Sequence, residues 1–204
     1  MNYAQLQQAI LDDSHRDDYV GEPVQRFIDE GENRIFAKLE AYSLKTTITD
    51  AQRVGATGEY TIAGKLVAVR HVLPTNGDQP LDRVDETIAA QYRTVGSPLM
   101  YVPRPTSILI AGVPGTGVSF DVHYFGLPDK LAVTPTNTLL DDNAQLYKNA
   151  ALVSLFQRAQ NYDAAEVALQ DMVGLINELN RKIKKLLGGR RSANPYNVSF
   201  RSSY

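Results

Sequence analysis

Apolar side chains recur at fixed spacing near the end of the chain: Ala165, Leu169, Met172, Ile176, Leu179, Ile183 and Leu186. The steps alternate between four and three, which is an a/d heptad seam sustained over about three heptads. A helix with such a seam must bury one face. The periodicity fits packing within the chain's own helical bundle and packing between subunits equally well. Asp163 is placed to cap this helix, and Gly188-Gly189 to end it.

Helical periodicity also marks the other end. Asn2 can cap a first helix carrying Tyr3, Leu6 and Ile10 on one side, followed by a polar loop from Asp12 to Asp18. Pro23 suits a helix start, and Val24, Phe27, Ile28, Ile35 and Leu39 predict one amphipathic helix over 23–42. Gly31 lies on the same stripe, where a missing side chain permits close approach of a neighbouring element. Leu139, Leu146, Ala150, Val153 and Phe156 predict a helix over 139–160.

The middle has short β-type runs broken by Gly and Pro. Strands are expected at 59–62, 65–73, 99–102, 107–111 and 118–125. Val84, Ile88 and Tyr92 predict one helical insert over 82–92. The expected class is α+β, because strands and helices do not alternate. The N- and C-terminal helices would form one helical bundle, with a small inserted β-region and an extended C-terminal arm. The expected divisions are 1–45 for the N-terminal helices, 46–135 for the β-rich region, 136–187 for the C-terminal helices and 188–204 for the arm.

Charge is unevenly placed. The 204 residues carry 21 basic and 23 acidic side chains, a formal charge of −2. Seven of the bases, and no acid, fall between Arg181 and Tyr204, so residues 1–180 carry −9. An acidic body therefore bears a basic end, which suits an acidic protein surface, nucleic acid, or solvation alone. The chain has no cysteine, which removes disulfides, thiolate metal sites and thiol nucleophiles. No apolar run approaches the roughly 18 residues of a membrane span. Met1 to Gln5 show neither the basic nor the apolar region of a secretory signal, so a soluble intracellular product is expected.

Catalytic and ligand motifs fare poorly. Gly112-Val113-Pro114-Gly115-Thr116-Gly117 imitates a phosphate loop, but Val118 stands where such a loop needs Lys, and strand-like runs flank it. A hairpin is the reading preferred. Asp12, Asp13, His15, Asp17 and Asp18 lack the spacing of an EF-hand. His15, His71 and His123 lie far apart and form no zinc motif, and no Gly-x-Ser-x-Gly elbow exists. Asp141 and Asp142 fit helix capping better than acid–base chemistry. No catalytic residue, metal or cofactor is expected.

Several segments resemble the head-to-tail adaptor (connector) proteins of short-tailed bacteriophages. Met1–Ile10 looks like that family's first helix. Val24–Ile35 is similar to its second, with an aromatic-Ile pair before an acidic residue and an Arg-Ile. Gly96–Tyr101 resembles a Gly-x-Pro-x-x-aromatic segment, and Val122–Leu131 a strand ending in Tyr and Pro before Leu. Asn137–Leu140 and 144–160 match in outline, so the resemblance runs from about Met1 to Leu187.

The resemblance implies a non-enzymatic virion protein of the neck between head and tail, made in the host cytoplasm. It implies a ring of copies, a dodecamer, below the portal protein, extending the channel for genomic DNA and docking a tail or nozzle protein. On that reading residues 188–204 are a portal-binding arm. Extended, they reach roughly 55 Å at about 3.3 Å per residue. Asn194 to Phe200 alternate polar and apolar positions, suited to docking as an added strand. Arg190, Arg191 and Arg201 suit carboxylates, and Pro195, Tyr196, Val198, Phe200 and Tyr204 supply apolar contacts. The seam residues Leu169, Met172, Ile176, Leu179, Ile183 and Leu186 are the second candidate surface. The competing reading is a nucleic-acid-binding protein that uses its basic end.

Overall fold

A computed structural model describes residues 1–14, 22–55, 57–75, 77, 79–92, 96, 98, 100–132 and 134–188. The class is α+β, with six helices and two sheets among these residues.

Helix α1 spans Tyr3–Ser14. Asn2 caps it: its Oδ1 accepts the Gln5 N–H at 2.9 Å, and Gln5 Oε1 accepts the Asn2 N–H at 2.9 Å. The helix runs into the stretch expected as loop, because Leu11 is buried and Ser14 bonds back to its carbonyl. The rest of the acidic cluster, His15, Asp17 and Asp18, lies outside the described residues. Helix α2 spans Glu22–Lys38, four residues shorter than its expected end. Strand β1, Tyr42–Ile48, takes over there, although the sequence reading placed no strand in this stretch. Leu44 and Ile48, four apart, continue a helical spacing, yet both face inward from one side of a strand.

The β-region follows. A 3-10 turn covers Asp50–Gln52, then come β2 (Glu59–Thr61), β3 (Lys65–Pro74), β4 (Asp82–Arg83), β5 (Met100–Pro103), β6 (Ser107–Ala111) and β7 (Phe120–Leu127). One sheet has the order β1-β7-β3 and is antiparallel throughout. The other has the order β2-β6-β5-β4, with β4 parallel to β5. Leu44, Ile48, Val72, Phe120 and Val122 from the first sheet share an apolar core with Tyr60, Tyr101, Ile108 and Ile110 from the second. Tyr60 and Phe120 meet edge to face at 5.9 Å.

The expected insert over 82–92 is corrected. Asp82 and Arg83 pair with β5, and only Glu86–Ala89, helix α3, is helical. Its stripe is not a buried one, since Ile88 and Tyr92 are 39 % and 44 % exposed.

The expected helix over 139–160 is two helices. Asn137 caps α4 (Thr138–Asp142) by accepting the Leu140 N–H at 2.8 Å. Asn143, at φ −137° and ψ 50°, separates it from α5 (Ala144–Arg158). Every residue from Leu146 to Leu155 except Lys148 is buried, so α5 is covered nearly all round. Helix α6, Tyr162–Gly188, carries the seam. Its first turn is capped by Asn161, which accepts the Ala164 N–H at 3.3 Å, and not by Asp163.

One apolar core joins both ends of the chain. Leu6 and Ile10 of α1, Val24, Ile28 and Ile35 of α2, and Leu139 of α4 pack with α5 and with Met172, Ile176 and Leu179 of α6. Gly31 permits this: a Cβ there would lie 2.8 Å from the Ala150 carbonyl carbon and the Ala151 nitrogen of α5. A smaller cluster of Ala41, Phe125 and Ile183 ties the far end of α6 to β7.

Candidate assembly surfaces

The seam residues divide in two. Met172, Ile176, Leu179 and Ile183 are buried within the chain, as is Ala165. Leu169 is 36 % and Leu186 50 % exposed. Ala168 is buried beside Leu169, so the face of α6 that enters the core is set slightly off the strict seam. The structure thus gives most of the seam to the chain's own core and leaves its two outer leucines at the surface.

The basic end of α6 is held against the junction of α2 and β1. Asn180 Oδ1 accepts the Glu40 N–H at 2.9 Å, and its Nδ2 donates to the Lys38 carbonyl at 3.0 Å. The second bond satisfies a carbonyl that the last turn of α2 leaves free, and the first holds the chain just beyond it. Lys184 pairs with Glu40 at 2.8 Å, and Lys182 with Glu178 at 2.7 Å. The Lys182 ammonium, bonded to Glu178, holds that carboxyl below its ordinary range. Arg181 and Lys185 are exposed and have no ion-pair partner among the described residues. Arg190, Arg191, Pro195, Tyr196, Val198, Phe200, Arg201 and Tyr204 lie outside the described residues.

The other motifs resolve into structural roles. The segment from Gly112 to Gly117 joins β6 to β7 and leads into no helix, so the anion-binding end of a phosphate loop is missing. The Gly117 N–H is instead taken by Asp50 at 2.6 Å, and Gly112 and Gly117 both have positive φ. His71 and His123, far apart in sequence, are brought opposite each other by the β3–β7 register and stack at 4.3 Å. A cleft of about 580 Å³ beside β6 holds Arg104, but its guanidinium is engaged by Glu59 at 2.7 Å and Glu86 at 2.9 Å. Bonds from Ser107 and Arg104 hold the Glu59 carboxyl below its ordinary range. Among the described residues no three His, Asp or Glu side chains gather as a cation site, and no helix is long and apolar enough to cross a membrane.

Sequence reasoning missed Glu32. It is wholly buried on α2, and its carboxylate accepts the Leu131 N–H at 3.0 Å, fastening the β7–α4 connection to the helix. The second oxygen, Oε2, has no hydrogen-bond partner among the described residues. Burial pushes its pKa up from 4.5 to about 7, although the Leu131 N–H and the charge of Lys130 act the other way. The signal was available: Glu32 sits four after Ile28 and three before Ile35, on the apolar stripe.

The family model described as SU10 adaptor protein matches residues 1–199. No curated protein matches the chain.

Proposed function

The chain belongs to the SU10 adaptor protein family, and from that membership we propose that it is a structural component of a bacteriophage particle, a head-to-tail adaptor. Copies of the chain form a ring below the portal protein, lengthen the channel for genomic DNA and dock the tail or nozzle protein. The unit that forms the ring is the helical bundle built by both ends of the chain, and the β-region projects from it. Residues 188–204 are the arm that binds the portal. The observation that carries this reading is the extent of the family match, which covers the body and continues into the arm as far as residue 199. An arm repeated around a ring acts at high effective concentration, so contacts weak singly hold together.

The test is quantitative mass spectrometry of purified particles, with the portal protein as internal standard. A ratio near one per portal subunit supports the adaptor ring. Absence from particles overturns it. Removing residues 188–204 is expected to abolish portal binding and leave the circular dichroism of the body unchanged. Undiminished binding removes the arm from the proposal.

The exposed cations Arg181 and Lys185 favour one second reading, nucleic-acid binding. It requires DNA affinity that falls steeply with salt.

A further inference from the structure

Helix α6 is electrically divided. From Tyr162 to Asn180 it carries Asp163, Glu166, Asp171 and Glu178 and no base. From Arg181 to Gly188 it carries Arg181, Lys182, Lys184 and Lys185 and no acid. Each half also presents apolar surface. Near the acidic half a groove runs between α1, α5 and α6, with Leu152, Phe156 and Ala168 among its apolar lining and Asp12 and Asp171 beside them. Val167, 61 % exposed, also lines it. Asp171 has no ion-pair partner among the described residues. At the basic end Leu186 stands half-exposed, while Ile183 and Leu187 to either side of it in the chain pack with Ala41 and Phe125 of the body.

The two surfaces fit each other in chemistry but not within one chain. Val167 and Leu186 are about 28 Å apart along a helix rising 1.5 Å per residue. We propose that the basic end of α6 in one subunit docks in the acidic groove of the next, with Leu186 seated by Val167 and Phe156, and Lys185 and Arg181 facing Asp171 and Asp12. The occupant is a second copy of this chain, because both halves of the contact are present on every copy. Two different patches meeting head to tail propagate around a ring, whereas one self-complementary patch stops at a pair. The apolar contact supplies the central anchor, and the charges fix direction and partner. This inference rests on the ring reading and supplies its lateral contact.

The chain contains no cysteine, so Val167→Cys with Leu186→Cys places two unique thiols on one helix, too far apart to join within a subunit. Both sites are exposed, so the variant is expected to fold, which circular dichroism checks. The purified variant, alone and with portal protein, is oxidised, run on a denaturing gel and imaged by electron microscopy. The expected result is a ladder rising past the dimer, while either single-cysteine variant gives no species beyond a dimer. A ladder that stops at two chains overturns the contact in favour of an antiparallel pair. Rings without a ladder overturn the contact and leave the ring reading intact. Neither rings nor ladder, with or without portal, overturns both. A second arm uses charge: Asp171→Lys and the pair Arg181→Glu with Lys185→Glu should each lower assembly at least about tenfold alone and restore it when mixed.

Discussion

The side chain of Asn180 is bonded to the backbone of Lys38, 142 positions earlier in the chain. The same side chain accepts the N–H of Glu40, so one amide spans the point where α2 becomes β1. Asn180→Ala removes both bonds and is expected to cost about 1–2 kcal/mol. Asn180→Asp keeps only an acceptor and adds a negative charge at a helix C-terminus, so it should recover less than half of that. Urea unfolding of the two variants measures the difference.

Two glycines should respond oppositely to the same substitution. Gly31→Ala places a Cβ against α5 backbone, and overpacking of about 1–3 kcal/mol outweighs the better helix propensity. Gly174→Ala meets nothing within 4 Å and should stabilise by about 1 kcal/mol. Thermal melts that move in the same direction would contradict the close α2–α5 approach.

Glu32 links stability to pH. An unfolded chain releases this proton near 4.5, whereas the folded chain keeps it to about 7. The folded state therefore binds more protons across that window. Its contribution is full below pH 4.5 and is lost as pH rises through about 7, a change of up to roughly 3 kcal/mol. Glu32→Gln should flatten that part of the curve of stability against pH. An unchanged slope in urea titrations from pH 5 to 8 would mean that Glu32 is ionised when buried.

The seam residues should separate folding from assembly. Met172→Ala empties a fully buried site and is expected to cost about 2–5 kcal/mol in the isolated chain. Leu169→Ala and Leu186→Ala remove surface leucines and should cost under about 1 kcal/mol. If subunits meet through α6, Leu186→Ala lowers the assembled fraction in light scattering without moving the melting temperature.

What could be read from the residues follows from the range of the forces involved. The seam of α6, the strands Ser107–Ala111 and Lys65–Pro74 and the Asn2 cap are local patterns, and the structure contains them. Strand β1 was hidden because Leu44 and Ile48 satisfy a helical spacing as well as a strand's, and only pairing with β7 decides between them. The short β4 is likewise fixed by its partner β5, not by its own residues. Glu32 is hard to read from sequence because an acid in a helix is ordinarily solvated, and its burial depends on Leu131 arriving from a distant loop. The stacking of His71 on His123 and the acidic groove also need the tertiary register before they exist.

Because α1 and α2 complete their core only with α5 and α6, order of synthesis matters to this protein. The first two helices leave the ribosome about 100 residues before their main partner. At about 5–20 residues per second they wait on the order of 5–20 s with apolar faces uncovered. The β-region, which has its own core, is synthesised wholly within that interval. It can close first and bring Tyr42 and Leu127, the two ends of the excursion, together. A newly made chain can therefore hold a closed β-region while the apolar faces of its N-terminal helices are still uncovered, and that interval is when it is most exposed to chaperones.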